Sequence, residues 1–392
     1  MKSKLYQFVK GRIGQFKRIE EACRGVDNII WVHAASYGEF EEARPVIEAI
    51  KRREPRYRFM VTFFSPSGYE HLKDDPIADF VFYLPLDTKR NARRFLDLVR
   101  PEMVIVSISD YWLNFLHEIR SRSIPAFLVS ARFLPGMAYF KPVGKMYLDA
   151  FKTCFTKIIV NDPSSLEVLQ NAGLSNISLA GDPRMDRVNA IAAEPWSDAL
   201  VDKWCQGRKV FVAGSTLPDE DDECIIAAAN SNPSDKFLVI PHEQGKAQLQ
   251  HLISSIKGKT ILYTDPGQEP QSAQVLIVDT VGMLSRLYRY GFAAFVGSGF
   301  SGESPHSVIE PAAYGVPVSF GPIFGTQMHC AKMIAAGAAS AVNDRDDFCR
   351  WYAGLKSDSS KLASMSNAAL AYCQKQSGVA ETIADMILIS GK

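Results

Sequence analysis

Short apolar runs alternate with stretches of helical periodicity along the whole chain. This alternation predicts βαβ units and therefore parallel sheets. The predicted strands form two series, separated by a polar, proline-containing linker near residues 187–207. The first series comprises residues 28–34, 58–64, 80–84, 103–108, 125–130 and 157–161. The second series comprises residues 209–213, 236–240, 260–263, 275–278, 293–297 and 317–320.

Two such series predict an α/β protein built from two Rossmann-like, doubly wound domains that face each other across a cleft. We place the first domain over residues 1–190 and the second over residues 191–375. A last helix, within 376–392, could pack back on the first domain. The length of 392 residues fits this division, and 47% hydrophobic with 22% charged residues is typical of soluble globular proteins.

Charge and cysteine usage exclude several classes of protein. The formal net charge is +1, which gives no indication of nucleic-acid binding. The seven cysteines are scattered without a CxxC pair, so neither a zinc site nor a disulfide framework is indicated. No apolar run reaches the roughly 18 residues that a membrane span needs. No signal-peptide pattern is present either.

The N-terminal segment is basic and amphipathic. Its cations are Lys2, Lys4, Lys10, Arg12, Lys17 and Arg18, and they alternate with apolar residues. Such a helix can lie on an anionic membrane surface. It can equally be a solvated first helix, and the sequence leaves both interpretations open.

The most informative turn follows the first predicted strand, in the run from Trp31 to Glu39. A helix predicted over 39–53 begins there, so Glu39 lies in its first turn at the carboxyl end of a buried strand. Open α/β sheets bind ligands at that edge, and a carboxylate there is a candidate general base. The alternative is that Glu39 only stabilises the helix N-terminus. His33, inside the strand, is interpreted as a packed core histidine.

Small and hydroxyl-bearing residues follow strands of the second series. The strand at 209–213 leads into Gly214-Ser215-Thr216, and the strand at 293–297 leads into Ser298-Gly299 and a helix with Glu310. Amides and hydroxyls at a helix start suit a phosphate, and a carboxylate such as Glu310 suits two ribose hydroxyls. His242 directly follows another strand. Together these turns predict a nucleotide site in the second domain.

Other nucleotide and hydrolase classes lack their motifs. The chain has no GxxxxGK[ST] run of a P-loop NTPase and no GxSxG elbow of a hydrolase. No third glycine follows Gly297 and Gly299 at GxGxxG spacing, which disfavours a hydride-transferring dehydrogenase.

The chain resembles the 3-deoxy-D-manno-octulosonic acid (Kdo) transferases of lipopolysaccharide synthesis, most closely the version of Bacteroidetes-type bacteria. The resemblance extends from about residue 17 to the C-terminus. Its carriers are residues 31–39, 62–68, 84–87, 125–132, 181–188, 213–216, 241–243, 279–282 and 306–315.

This resemblance implies an inverting GT-B glycosyltransferase that moves Kdo from CMP-Kdo to a lipid A precursor, without a metal or other cofactor. The C-terminal domain would bind the donor and the N-terminal domain the acceptor. Glu39 would be the general base and Asp110 the second catalytic acid. The protein would work peripherally at the cytoplasmic face of the bacterial inner membrane.

The resemblance also implies the other site residues. The donor phosphate would contact Ser215, Thr216 and the amides of Gly282, Met283 and Leu284, while Glu310 would hold the ribose. The remaining candidate donor-binding residues are His242, Ser298, Gly299 and His306. Ser36 and Arg184 are candidates for contacting the acceptor or a carboxylate.

Several positions depart from the family's pattern. The family's Glu-x-Glu-x-Trp-x-Asn run has lost its first acid here and retains the shorter Asp110 as its second. The usual His-Asn pair is His306-Ser307, and the usual Gly-Glu-Leu has Met283 in the middle. The family's apolar, membrane-attaching N-terminal segment is mostly absent, so either the chain begins after it or the basic helix takes its role.

Two other functions stay open. The chain could be a GT-B enzyme for another nucleotide sugar, such as a UDP-sugar transferase or epimerase. It could also be a non-catalytic homologue that binds lipopolysaccharide precursors, an alternative supported by the departure near Asp110.

Overall fold

The computed structural model describes residues 4–300, 302–325 and 327–391. The chain divides into two compact units. Unit 1 comprises Met1–Asp186 together with Gly378–Lys392, and unit 2 comprises Arg187–Ser377. Lys2 of the predicted basic helix lies outside the described residues.

Unit 1 is built on a seven-stranded, wholly parallel sheet in the order β3-β2-β1-β4-β5-β6-β7. Its strands are β1 (Ile29–Ala34), β2 (Arg58–Phe63), β3 (Phe80–Tyr83), β4 (Met103–Ser107), β5 (Ala126–Ala131), β6 (Lys157–Val160) and β7 (Ile177–Leu179). Its helices before the linker are α1 (Lys4–Arg12), α2 (Gln15–Cys23), α3 (Tyr37–Arg53), α4 (Pro66–Leu72), α5 (Lys89–Val99), α6 (Leu113–Ser121), α7 (Lys145–Cys154) and α8 (Pro163–Asn171). Helix α9 (Arg184–Ala193) contains the boundary between the two units in the sequence.

Unit 2 repeats the architecture with a second seven-stranded parallel sheet, in the order β10-β11-β9-β8-β12-β13-β14. Its strands are β8 (Val210–Thr216), β9 (Phe237–Pro241), β10 (Thr260–Leu262), β11 (Val275–Ile277), β12 (Gly291–Val296), β13 (Val318–Phe320) and β14 (Ala339–Ala341). Its helices are α10 (Ala199–Cys205), α11 (Glu220–Ser231), α12 (Lys246–Ser255), α13 (Leu284–Leu287), α14 (Ile309–Ala312), α15 (Met328–Ala335), α16 (Arg345–Ser357) and α17 (Ser359–Gln374).

The core of unit 1 occupies both faces of its sheet. All six residues of β1 are buried, as expected for a parallel strand covered by helices on both sides. Because side chains alternate across a strand, Trp31 packs in one cluster with Phe95 of α5, and Ile30 packs in the other with Phe40 of α3. The last helix, α18 (Val379–Ser390), packs in the second cluster against α3.

The fold class predicted from the apolar pattern is confirmed, and the predicted strands are present with ends that differ by at most three residues. Strands β7 and β14 were missed because each has three residues and is partly exposed, which leaves no continuous apolar run. The stretch near residues 187–207 that was predicted to link the two domains contains the end of α9 and all of α10. Within the described residues, no helix combines the length and apolarity needed to cross a bilayer.

Candidate active site

In each unit, the strand order reverses beside the first strand of the series, between β1 and β4 in unit 1 and between β8 and β12 in unit 2. Parallel α/β sheets bind ligands at the carboxyl ends of the strands at such a reversal. The turn after β1 leads to Glu39 in the first turn of α3, and the loop after β4 carries Asp110. Ser215 lies at the end of β8, and the loop after β12 carries His306. The candidate residues therefore lie at the two places that the topology favours.

The turn between β1 and α3 holds the Glu39 side chain at both carboxylate oxygens. Oε2 accepts the backbone N–H of Ala35 at 2.7 Å, and Oε1 accepts the Ser109 hydroxyl at 2.9 Å. Ser36 is the extended N-cap of α3, and its Oγ accepts the backbone N–H of Glu39 at 3.5 Å. This arrangement is a variant of the capping box, so Glu39 does stabilise the helix start. An ionised carboxylate offers about four acceptor positions, which leaves capacity for a substrate proton.

The chain bends sharply after β4 and brings Ser109 towards Glu39. Ile108 has a φ of 61°, which is uncommon for a β-branched residue and marks a strained connection. One residue earlier, the Ser107 hydroxyl donates to the backbone carbonyl of Glu39 at 2.7 Å. The end of β4 is thus bonded to the first turn of α3 twice, through Ser107 and through Ser109.

His33 is buried in β1, as interpreted from the sequence, and its ring also contacts polar groups at both nitrogens. Its Nε2 lies 3.1 Å from Oδ2 of Asp110, and the Trp112 indole Nε1 lies 3.2 Å from the same nitrogen. Its Nδ1 lies 3.0 Å from the Thr62 carbonyl oxygen. The strand register explains the contact, because β1 lies between β2 and β4 in the sheet. His33 therefore links Thr62 at the end of β2 to Asp110 beyond β4.

Arg184 is engaged by carboxylates of its own unit. Its Nη2 lies 2.6 Å from Oδ2 of Asp182, and its Nη1 lies 3.5 Å from Oε1 of Glu42. Burial raises the pKa of Glu42 to about 7, although Arg184 opposes that rise. A ligand anion at Arg184, as predicted from sequence, would compete with Asp182. Glu42 was missed by the sequence reasoning, since an acid one turn after Glu39 is ordinary on a helix surface.

Helix α1 packs at the same edge of unit 1. The Arg12 guanidinium donates through Nε to the Leu84 carbonyl at 3.0 Å and through Nη2 to the Phe64 carbonyl at 3.1 Å. The Phe64 ring contacts Phe8 of α1 on one side, with centroids 5.2 Å apart, and Trp112 on the other, at 4.9 Å. The basic helix is therefore connected to the His33–Asp110 pair through the rings of Phe64 and Trp112.

Unit 2 brings most of its predicted donor residues to adjacent strand ends. Strands β11, β9, β8 and β12 are neighbours in the sheet. Gly282, His242 and His306 follow β11, β9 and β12 respectively, and Ser215 lies at the end of β8. The rings of His242 and His306 stack with centroids 4.3 Å apart. Burial, with His242 beside it, lowers the pKa of His306 to about 4. The buried Nε2 of His306 has no hydrogen-bond partner within the described part of the chain, and such an atom suits a bond to a ligand.

The glycine-rich turns have the backbone conformations that close approach requires. Gly282 has a φ of 90° and precedes the start of α13, where Met283 and Leu284 lie. Gly299 has a φ of 99°, and a Cβ there would lie 3.0 Å from Cα of Gly321. Residues other than glycine rarely adopt such angles. The backbone of Gly282 is exposed, whereas Gly299 is buried against Gly321. Glu310 is half-buried in the short helix α14.

Two of the predicted donor-binding residues, Thr216 and Ser298, are buried. Thr216 is fully buried at the end of β8, and its carbonyl accepts the His242 N–H at 3.0 Å. Ser298 is 2% exposed, and its hydroxyl donates to the Glu303 carbonyl at 3.2 Å. The Ser298 hydroxyl is therefore engaged within its own loop and not by a ligand, whereas Oγ1 of the buried Thr216 has no hydrogen-bond partner within the described part of the chain. Ser215, half-buried with a φ of 54°, is the hydroxyl that can still reach a ligand.

Asp221 organises these loops and was not singled out from the sequence. Its Oδ2 accepts the backbone N–H of Leu217, after β8, and that of Ser298, after β12, both at 2.8 Å. Burial raises the pKa of Asp221 to about 6. The acidic run from Asp219 to Glu223 was noted only as a helix start, and nothing in it distinguishes Asp221 from its neighbours.

The two doubly wound sheets define a protein of the GT-B class. Solved structures with this fold include the UDP-GlcNAc 2-epimerase of Neisseria meningitidis bound to UDP-GlcNAc, with a TM-score of 0.64 and 12% identity over 92% of this chain and 98% of that one. Another is the Anabaena protein HepE in complex with UDP, with a TM-score of 0.63 and 12% identity over 93% of this chain and all of that one. At this identity, the likeness shows the fold alone.

The chain is similar in sequence to the Kdo transferases. Residues 8–187 match the family model described as 3-deoxy-D-manno-octulosonic-acid transferase. The 3-deoxy-D-manno-octulosonic acid transferase of Haemophilus influenzae is 27% identical over 74% of this chain and 70% of its own length. That of Bordetella pertussis is 26% identical over 91% of this chain and 86% of its own. These matches confirm the resemblance and the predicted enzyme class, a glycosyltransferase.

Proposed function

We propose that this protein transfers Kdo from CMP-Kdo to a lipid A precursor with inversion at the anomeric carbon, and that Glu39 is its general base. The observation that carries the proposal is the fixed Glu39 carboxylate, held by the Ala35 N–H and the Ser109 hydroxyl at the carboxyl end of β1. Both bonds orient the carboxylate before any substrate arrives, and such preorganisation is what general base catalysis needs.

In the proposed step, an acceptor hydroxyl attacks the anomeric carbon of Kdo while Glu39 takes its proton. The bond between that carbon and the phosphate oxygen breaks, and CMP leaves with the electron pair. The growing charge on the phosphate requires hydrogen-bond donors. The backbone amides at Gly282, Met283 and Leu284, with the Ser215 hydroxyl, are the donors proposed for it.

We further propose that unit 1 binds the acceptor and unit 2 binds the donor. In unit 1, Ser36 and Asp110 lie beside Glu39 in the loops that form its surroundings. In unit 2, His242, His306 and Glu310 would contact the nucleotide sugar, and the unpartnered Nε2 of His306 supports that assignment.

The lipid acceptor implies work at a membrane surface. Helix α1 exposes Tyr6 and Val9 at 47% and 54%, and Ile13 directly beyond its end at 67%. Cations on the same segment favour an anionic leaflet. Because Arg12 fixes α1 near Phe64 and Trp112, we propose that α1 holds the active-site edge of unit 1 at the cytoplasmic face of the inner membrane.

The test is incubation of the purified protein with CMP-Kdo and a lipid A precursor, followed by quantification of CMP and mass spectrometry of the lipid. We expect CMP release and a lipid heavier by one or more Kdo units. A parallel incubation uses UDP-sugars as donors. Release of UDP in place of CMP would assign the protein to another donor, and no turnover of any donor would favour a binding protein.

A further inference from the structure

The buried ring of His33 faces a donor and an acceptor at the same nitrogen. The Trp112 indole N–H can only donate, and it lies 3.2 Å from Nε2. The Asp110 carboxylate, when ionised, can only accept, and its Oδ2 lies 3.1 Å from Nε2. A protonated Nε2 can donate to Asp110 but cannot accept from Trp112. An unprotonated Nε2 can accept from Trp112 but has no proton to donate to an ionised Asp110.

The other ring nitrogen restricts the possibilities. Nδ1 lies 3.0 Å from the Thr62 carbonyl oxygen, which has no proton to give, so a hydrogen bond there requires a proton on Nδ1. The Thr62 hydroxyl, 2.9 Å from Nδ1, accepts the Trp31 indole N–H at 2.8 Å and keeps a second lone pair that can accept from Nδ1. The other tautomer, with the Thr62 hydroxyl donating to Nδ1, would place the Nδ1 lone pair 3.0 Å from the Thr62 carbonyl oxygen and a proton on Nε2 against the Trp112 N–H. With Nδ1 protonated, a neutral ring presents the Nε2 lone pair to Asp110.

Two arrangements then satisfy the His33–Asp110 contact. Either the ring is an imidazolium and donates to an ionised Asp110, or Asp110 carries the proton and donates to a neutral ring. Both contain one proton between Nε2 and Oδ2, and both leave the pair with zero net charge. A neutral ring beside an ionised Asp110 would place a lone pair against a negative charge.

We propose that His33 is a positioning residue that shares one proton with Asp110 and thereby neutralises this second acid beside Glu39. The inference rests on the proposed transferase function for its kinetic consequence but not for its geometry. An uncompensated Asp110 would repel negative charge on Glu39, the proposed base. The shared proton removes that repulsion and fixes the orientation of Asp110. It also gives the shorter acid of this chain a partner that holds it at the edge of the sheet.

The titratable groups around the pair come from three elements. Glu39, on the first turn of α3, bonds to Ser109, the neighbour of Asp110 in the chain. Tyr111, which follows Asp110, is fully buried against α7, and its pKa is well above the ordinary value because of burial and, to a smaller extent, these acids. Tyr139 lies on the 3-10 turn Ala138–Phe140, and burial raises its pKa too. Both tyrosines stay neutral at working pH, so Glu39 is the charge that responds to His33.

The first measurement needs no activity. Long-range nitrogen–proton NMR of the imidazole side chains reports which ring nitrogens of His33 carry protons. We expect both ring nitrogens of His33 to be hydrogen-bonded. Their nitrogen chemical shifts should change in Asp110→Asn, where an amide replaces the acid. The exposed His117 on α6 is the internal control and should be unaffected. A His33 signal that is identical in wild type and Asp110→Asn would overturn the proposal.

The second measurement is the pH dependence of kcat for Kdo transfer. In His33→Gln, Asp110 loses its compensating charge and repels negative charge on Glu39. The fall of kcat on the acidic side of the profile should therefore occur at a higher pH than in the wild type. We expect kcat to fall about tenfold or more with KM little changed. A displaced catalytic group lowers the rate of the chemical step more than it weakens substrate binding. The double variant His33→Gln/Asp110→Asn removes the charge itself and should return the acidic side of the profile towards its wild-type position.

The controls separate this inference from the proposed function. His117→Gln should leave the profile unchanged, and circular dichroism checks that His33→Gln is folded. If the wild type transfers no Kdo, the proposed function fails while the NMR result still decides the proton sharing. If transfer is normal and His33→Gln leaves the acidic side of the profile in place, or the double variant fails to return it, the positioning role is wrong. If His33→Gln does not fold, Asp110→Asn alone carries the NMR test.

Discussion

The Asp221 carboxylate accepts the backbone N–H of Ser298 at 2.8 Å, although 77 residues separate them in the chain. The same oxygen accepts the N–H of Leu217. One buried oxygen therefore joins the loop after β8, next to Ser215, to the loop after β12, which carries His306. This bond is the structural basis for the proposed donor site in unit 2, and it leads to the first prediction.

Asp221→Ala should loosen both loops and weaken CMP binding. Leaving a buried N–H without its partner costs about 1–3 kcal/mol, so the free energy of unfolding should fall by at least that amount. Urea denaturation measures the stability, and calorimetric titration with CMP measures the affinity. Asp222→Asn is the matched control, because Asp222 is also buried but bonds Gln248 and neither loop amide. Equal CMP affinity in Asp221→Ala and wild type would contradict the role given to Asp221.

Glu39→Gln should reduce Kdo transfer about 10²–10⁴-fold, because an amide cannot take the acceptor proton. Ser109→Ala should give a smaller loss, since it removes one of the two bonds that orient the carboxylate. CMP release at saturating substrate measures both. Glu20→Gln, an exposed acid on α2, is the control and should match the wild type. If Glu39→Gln keeps activity within about tenfold of the wild type, another group is the base.

Glu42→Gln should make unit 1 more stable than the wild type at alkaline pH. The pKa of Glu42 is about 7 in the folded protein and 4.5 as its ordinary value, so its contribution to stability is present below pH 4.5 and lost as pH rises through 7. Glutamine mimics the protonated acid and avoids that loss. We expect a gain on the order of 1–3 kcal/mol at pH 8.5 and little difference at pH 4.5. Thermal unfolding across this range is the measurement, and parallel curves for the two proteins would refute the expectation.

Val9→Ser/Ile13→Ser should weaken binding to anionic vesicles about tenfold or more, because burial of each apolar side chain in the membrane interface contributes to the affinity. Co-sedimentation with vesicles containing anionic lipid measures the binding. Ile389→Ser is the control, since Ile389 on α18 is 75% exposed yet lies outside the basic helix. A drop that is equally large in Ile389→Ser would show that any exposed apolar residue suffices.

The turn at Glu39 shows how far local sequence leads. An apolar run followed by Ser36, Gly38 and Glu39 was enough to predict a buried strand, a helix start and a carboxylate at the edge of the sheet. The same reasoning found the loops of unit 2. It failed at β7 and β14, whose three residues carry too little pattern, and it could not show that the Thr216 and Ser298 side chains are buried.

The sequence by itself determined the two series of strands, the fold class and the position of Glu39 on its helix, because periodicity and turn chemistry act over a few residues. Only the tertiary structure decided which of those residues meet. His33 meets Asp110, 77 positions away, because β1 and β4 are neighbours in the sheet, and Asp221 bonds Ser298 because β8 and β12 are neighbours. Strand order is set by the packing of the whole domain, and no local pattern encodes it.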